Sequence, residues 1–194
     1  MNEIHIRRRE NMANEKKMDC VILGLLSHES MTGYEIKKIM DTTLSFFWGA
    51  SFGSIYPTLN GLVREGMVTK YETKENGRNK AIYHITQEGR LYLKKWLQLP
   101  IEKDEMRYET LLKLFFGNEI GEGGTLKHIV AFKDKVQKQL PMLEGAVRTL
   151  EKIEDEDDTH LYYKLTAMCG VKIYEAFLEW SEEVTEVLKE KGRI

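Results

Sequence analysis

Apolar side chains recur along this chain with two different periods, and the switch between them marks its organisation. From Lys16 to Ser27, the residues Met18, Val21, Ile22, Leu25 and Leu26 fall on one helical face. A second helix opens with Thr32-Gly33-Tyr34-Glu35, a capping-box pattern in which hydroxyl and carboxylate each satisfy a free backbone N–H. Ile36, Ile39 and Met40 then point inward while Lys37, Lys38 and Asp41 point out. Phe46-Phe47-Trp48 is a dense aromatic run in the following connection, expected to plug the base of the domain. A third helix covers the stretch from Ser51 to Gly66, with Phe52, Ile55, Leu59, Leu62 and Val63 on its inner side. Pro57 lacks a backbone donor and fits best near a helix start, which places that start at Ser51 to Ser54.

The period then shortens to two. Met67 to Lys74 and Ala81 to Ile85 alternate on either side of Glu75-Asn76-Gly77-Arg78. Asn and Gly accept the positive φ of tight hairpins, so these runs predict two antiparallel strands. Thr86 caps a further helix carrying Leu91, Leu93, Trp96 and Leu97, and Pro100 ends it at a domain boundary.

Everything beyond Pro100 reads as helix. Tyr108, Leu111, Leu112 and Phe115 follow i, i+3, i+4, i+7, with Gly117 as the stop. A helix over Thr125 to Glu154 carries Val136, Leu140, Leu143, Val147 and Leu150, a heptad seam that Pro141 is expected to interrupt and kink. The acidic run Asp155 to Asp158 leads into a last helix from Thr159 to Lys189, about 45 Å long at 1.5 Å per residue. That run lacks the glycine and closing glutamate of a calcium loop, so no metal is expected there. Leu165, Met168, Cys169, Ile173, Ala176, Phe177, Trp180, Val184, Val187 and Leu188 form the last helix's apolar stripe. Two long, wide-striped helices with one short companion cannot cover themselves, and a second copy of the chain is the economical cover.

The expected fold is therefore mainly α with a small β-hairpin. A disordered segment spans residues 1–15, a winged helix-turn-helix domain 16–99, and an α-helical dimerisation domain 100–194. Composition refines this picture in two places. Residues 1–99 hold 15 Lys and Arg against 11 Asp and Glu, whereas residues 100–194 hold 14 against 20. A basic first half suits phosphate, and an acidic second half does not share that contact. The two cysteines are far apart and suggest no disulfide framework, which fits a reducing, cytoplasmic setting. No apolar run approaches a membrane span. Before Met12, Arg7-Arg8-Arg9 has two readings: a phosphate-binding arm, or a translated purine-rich ribosome-binding site with Met12-Ala13-Asn14 as the natural start.

The outer side of the third helix carries the chemistry. Gly53, Ser54, Pro57, Asn60, Gly61 and Arg64 make it small and polar, where a merely solvated helix would show Lys and Glu. Such a face can press into a DNA major groove, which is read by side-chain hydrogen bonds. The hairpin adds Lys74, Arg78 and Lys80 at or beside its tip, placed to reach flanking phosphates or the minor groove.

The chain resembles the PadR family of transcriptional regulators, of the longer kind with an extended helical C-terminal domain. The resemblance is carried by Ile22-Leu23-Gly24-Leu25-Leu26, Met31-Thr32-Gly33-Tyr34-Glu35-Ile36, Phe47-Trp48, Ser51 to Leu59, Glu65-Gly66, Gly77-Arg78 and Tyr83-His84-Ile85-Thr86. It implies a homodimer joined through its C-terminal helices. Two winged helices would bind a near-palindromic operator in double-stranded DNA, usually to repress a neighbouring gene. It also implies release by a small molecule, often aromatic or phenolic. Matching positions carry DNA contact onto Tyr34, Ser51, Ser54, Tyr56, Thr58, Arg78 and Lys80, to which the outer helical face adds Asn60 and Arg64. Asn79 and Ala81 depart from a wing often richer in Pro, Lys or Tyr.

Two other classes compete with this reading. An enzyme would need a phosphate loop, a nucleophile elbow or a metal motif; none is present, and the five histidines show no ligand spacing. No cofactor is expected. A winged helix that binds protein without binding DNA would show an apolar or acidic outer face on residues 53–64, and this one carries Arg64 instead. For an effector, the rings able to stack on a flat ligand include Phe47, Tyr162, Tyr163, Tyr174 and Phe177, with Trp48, Trp96 and Trp180 as the candidates put forward.

Overall fold

The computed structural model describes residues 17–48, 54–75, 78–101, 104, 107–154 and 158–192. The chain divides into two compact units, Met1–Lys103 and Asp104–Ile194. The expected disordered segment 1–15, Ser51, the Asn76-Gly77 turn and most of the acidic run lie outside the described residues.

The first unit begins with α1 (residues 17–28) and a two-residue strand β1 (Met31–Thr32). Next come α2 (Gly33–Ile39), which widens into a π-helical turn over Met40–Leu44, and α3 (Ile55–Arg64). Strands β2 (Val68–Glu75) and β3 (Arg78–Ile85) precede α4 (Gln87–Leu97). The sheet is antiparallel in the order β1-β3-β2. Its hairpin register runs from Val68 opposite Ile85 to Glu75 opposite Arg78, with Met31 and Thr32 pairing with Tyr83 and Ile82 on the far side. Strand β1 and the π-helical turn are findings that apolar periodicity did not predict.

Local chemistry ends and starts these elements. Thr32 caps α2: its hydroxyl accepts from the Glu35 backbone N–H at 3.2 Å, and its own N–H donates to the Glu35 carboxylate at 2.7 Å. Gly66, at φ 73°, terminates α3 by letting its N–H reach Val63 O while Met67 N–H reaches Leu62 O. Thr86 joins two elements, donating to Gly66 O at 2.8 Å and accepting from Gly89 N–H at 3.1 Å.

One core closes this unit: Ile22, Leu23 and Leu26 of α1 meet Ile36, Met40, Ile55, Leu59, Leu62, Val68 and Tyr83. Two features of this unit could not be read from the apolar pattern or differ from what it predicts. In α4, Leu91 and Leu97 are exposed, and the inner face is Gly89, Leu93 and Trp96, because α4 packs so closely that a Cβ at Gly89 would strike the Met67 carbonyl. The aromatic run does not plug the domain: Phe47 is exposed, and Phe46 and Trp48 are half-buried.

The second unit contains α5 (Glu109–Phe115), a 3-10 turn at Gly117–Glu119, α6 (Gly121–Leu150) and α7 (Thr159–Gly192). Helix α6 starts earlier than expected and runs through Pro141 to Leu150. Its tight entry is set by Gly117, whose carbonyl accepts from the buried Thr125 hydroxyl at 3.1 Å. The face α7 turns inward carries Ala167, Gly170, Tyr174, Phe177 and Ser181, not the whole expected stripe. Leu165, Met168, Cys169, Ile173 and Ala176 are exposed on an adjoining face. Small residues at 167, 170 and 181 are the reason: they set the line of close helix approach, and hydrophobicity alone does not show it.

Candidate nucleic-acid interface

Helix α3 separates its faces sharply. Ile55, Leu59 and Leu62 are buried, while Tyr56, Pro57, Asn60 and Arg64 are exposed; at 100° per residue those four share one side. Thr58 and Ser54 are half-buried at the flanks, and Ser54 occupies the N-cap position without capping through its side chain. An exposed tyrosine beside an amide and a guanidinium offers donors and acceptors of the kind that read base edges.

Tyr56 is held in place by an absence. Its ring lies across Gly33, where an added Cβ would stand 2.6 Å from the ring Cε1. The phenol is 55% exposed nonetheless. Tyr34 follows Gly33 in the chain and is 70% exposed, so both phenols emerge at the α2–α3 junction. The sequence pattern flagged both tyrosines but gave no role to Gly33. Its position as the first residue of a capped helix was the available signal.

The wing is the β2–β3 hairpin. By register Lys80 stands opposite Thr73, two residues from Arg78, and it is half-buried. The Glu35 carboxyl is held below its ordinary range, first by the Thr32 backbone N–H and hydroxyl and to a lesser extent by the Lys80 charge. Lys80 therefore sits near the capped start of α2 as well as on the wing. Strand residue Arg78 is paired with Glu75 in the ladder, and its side chain lies outside the described residues. On the same face as Lys80, Tyr71 packs edge-on against His84 at 4.9 Å, and His84 Nδ1 is hydrogen-bonded to the Ser30 hydroxyl. Sequence reading missed this trio, which forms only when the loop before β1 meets β3.

The three tryptophans occupy separate places. Trp48 is half-buried beneath the Lys17 ammonium, 5.8 Å from the ring centroid. Trp96 packs on the winged-helix core. Trp180 belongs to the second unit and meets Phe132 edge-on at 5.9 Å. Among the described residues no group of His, Cys, Asp and Glu could hold a metal ion, and no helix is long and apolar enough to cross a membrane. Cys20 is buried, which pushes its thiol up to about 11, with Asp19 adding to the shift; this is an inert core thiol.

Comparison with known proteins agrees with this geometry. The profile of the Transcriptional regulator PadR-like family matches residues 22–95, and that of Virulence activator alpha C-term matches residues 106–189. The negative transcriptional regulator PadR of Bacillus subtilis is 32% identical over 137 residues, covering 68% of this chain and 72% of that protein. The crystal structure of the PadR-like transcriptional regulator BC1756 from Bacillus cereus superposes with a TM-score of 0.75 at 28% identity, over 90% of this chain and 99% of the other. Bacillus subtilis PadR in complex with operator DNA superposes at 0.72 and 24% identity, and in complex with p-coumaric acid at 0.67 and 23%. Those two superpositions cover 88% and 89% of this chain and 98% of each PadR chain.

Proposed function

The chain belongs to the PadR-like family of transcriptional regulators, a DNA-binding winged-helix family and not an enzyme family, and from that premise we propose that it is a repressor. In this reading it binds a near-palindromic operator as a homodimer through its C-terminal helices and is released by a small aromatic or phenolic molecule. The observation that carries the reading is the outer side of α3, where Tyr56, Asn60 and Arg64 stand exposed over a fully buried inner face.

Within this reading α3 enters the major groove with Tyr56, Thr58, Asn60 and Arg64. Ser51 and Ser54 hold phosphates at its start, and Tyr34 reaches the same backbone from α2. Arg78 and Lys80 contact the flanking duplex from the wing. The Bacillus subtilis relative whose structures hold operator DNA and p-coumaric acid supports both partners by analogy. The exposed apolar face of α7 supports the dimer, because Leu165, Met168 and Ile173 are 50%, 44% and 37% exposed.

The test is operator binding to the chain's own upstream region, mapped by footprinting and followed by fluorescence anisotropy across a salt series. Wild-type affinity should fall steeply with ionic strength, since several phosphates are neutralised. Tyr56→Ala should lower specific affinity by about tenfold or more while the protein stays dimeric on a sizing column. Tight specific binding by that variant would show that α3 is not the reading helix. Absence of any salt-dependent binding would favour a protein-interaction module.

A further inference from the structure

We propose that Asn60 and Arg64 are the specificity-determining residues of α3, and that they select an adenine and a guanine on neighbouring base pairs of each operator half-site. The inference rests on the regulator reading above and gives it a base pattern.

The geometry of α3 brings these two head groups together. Tyr56, Asn60 and Arg64 stand at i, i+4 and i+8, so they form one exposed row along its outer side. Helical side chains lean back toward the N-terminus, and Arg64 does so: its Nη2 lies 3.9 Å from where a Cβ would stand at Gly61. The guanidinium is thereby carried three residues back along the helix, about 4.5 Å at 1.5 Å per residue, to the level of Gly61 and beside Asn60. The bare backbone at Gly61 leaves it that space. A cation in the last turn of a helix also favours the dipole, but that role asks for a charge beyond the final carbonyls, and this one is folded back from them.

The hydrogen-bonding capacity of both side chains is unspent. Among the described residues neither the Asn60 amide nor the Arg64 guanidinium has a hydrogen bond or ion pair. Elsewhere in the unit, exposed cations are engaged: Lys37 holds Asp41 at 2.6 Å, and Lys70 holds Glu72 at 2.7 Å.

The two head groups match different base edges. An asparagine amide presents a donor and an acceptor side by side, the complement of adenine N7 and its N6 amino group. A guanidinium presents two parallel donors, the complement of guanine O6 and N7. Neither makes two bonds to the other's base. Tyr56 has a single hydroxyl that both donates and accepts, so it adds affinity with less discrimination. Base pairs in B-DNA are stacked about 3.4 Å apart, and head groups one residue apart in level therefore fall on neighbouring pairs.

The experiment is selection of sequences from a randomised duplex library by the full chain, followed by fluorescence anisotropy on every single-base-pair variant of the selected site. The wild-type half-site should hold an adenine and a guanine on neighbouring pairs, each preferred by about tenfold over the other bases. Asn60→Ala should level the preference at the adenine and keep that at the guanine. Arg64→Gln should turn the preference at its pair from guanine to adenine, because glutamine carries the amide that matches adenine. Arg64→Ala should lose the guanine preference without gaining another, and circular dichroism should show all three variants folded as wild type. Even weakening across all sequences, with the salt slope reduced by about one for the Arg64 variants, would mark phosphate contacts; it would overturn the assignment and leave the regulator reading intact. A selected site without a neighbouring adenine and guanine, or preferences that move at pairs more than two steps apart, would overturn it as well. A wild-type chain that enriches no sequence would sink the regulator reading itself, and the base pattern with it.

Discussion

The two units of this chain bury their apolar residues to different degrees. Among the described residues of the winged-helix unit fourteen hydrophobic side chains close into one buried core, from Met18 to Leu93. Among the described residues of the helical unit only Ile129, Val136 and Ala167 are buried to that extent. Meanwhile Leu112, Phe115, Met142, Leu165 and Met168 are exposed, Phe115 by 80%. The first unit is finished by its own sequence. The second leaves apolar faces exposed among its described residues, which is what the proposed dimer would cover.

The sharpest way to break that contrast is to damage the closed core. Leu59→Ala removes a side chain with no exposed surface, and should cost about 2–5 kcal/mol in denaturant unfolding of the winged-helix unit. A cost below about 1 kcal/mol would mean that this core is loosely packed after all. Next in size is the exposed face of α7. Leu165→Glu combined with Met168→Glu should weaken self-association by about a hundredfold in sedimentation equilibrium, since each charge would lose its water on assembly. An unchanged association constant would place the dimer contact elsewhere.

The smallest effect lies in the cap of α2. Glu35 is held below its ordinary value of 4.5 by the Thr32 N–H and hydroxyl, so the cap's contribution is complete above that pH. It is lost as pH falls through the lowered folded-state value, because the unfolded state then binds the proton more readily. Glu35→Gln should remove that part of the acid dependence from thermal melts between pH 5 and 3, while Thr32→Ala should cost about 1 kcal/mol at neutral pH. An identical acid profile in wild type and Glu35→Gln would show that the carboxylate does not couple to folding.

What the sequence made legible follows the same divide. The capping box at Thr32 and Glu35, the hairpin around Asn76-Gly77 and the bare outer face of α3 are set by neighbours within a few residues, and local pattern reveals them. Strand β1 is two residues long and exists only through the pairing of Met31 with Tyr83 and Thr32 with Ile82, far away in the chain. Leu91 and Leu97 are apolar yet face water, because Gly89, Leu93 and Trp96 form the contact line of α4. In α7 the small residues Ala167, Gly170 and Ser181 chose the inner face over a stronger apolar stripe beside it.

The contact between Tyr56 and Gly33 has a consequence for how such a protein can change. The two positions lie on different helices, but the ring at one occupies the space that a methyl group at the other would need. Alanine at position 33 is compatible with the fold only once position 56 has given up its ring or moved it. A substitution at 33 therefore acts through where it sends the ring at 56, so a change at one position alters the outer face of the other helix.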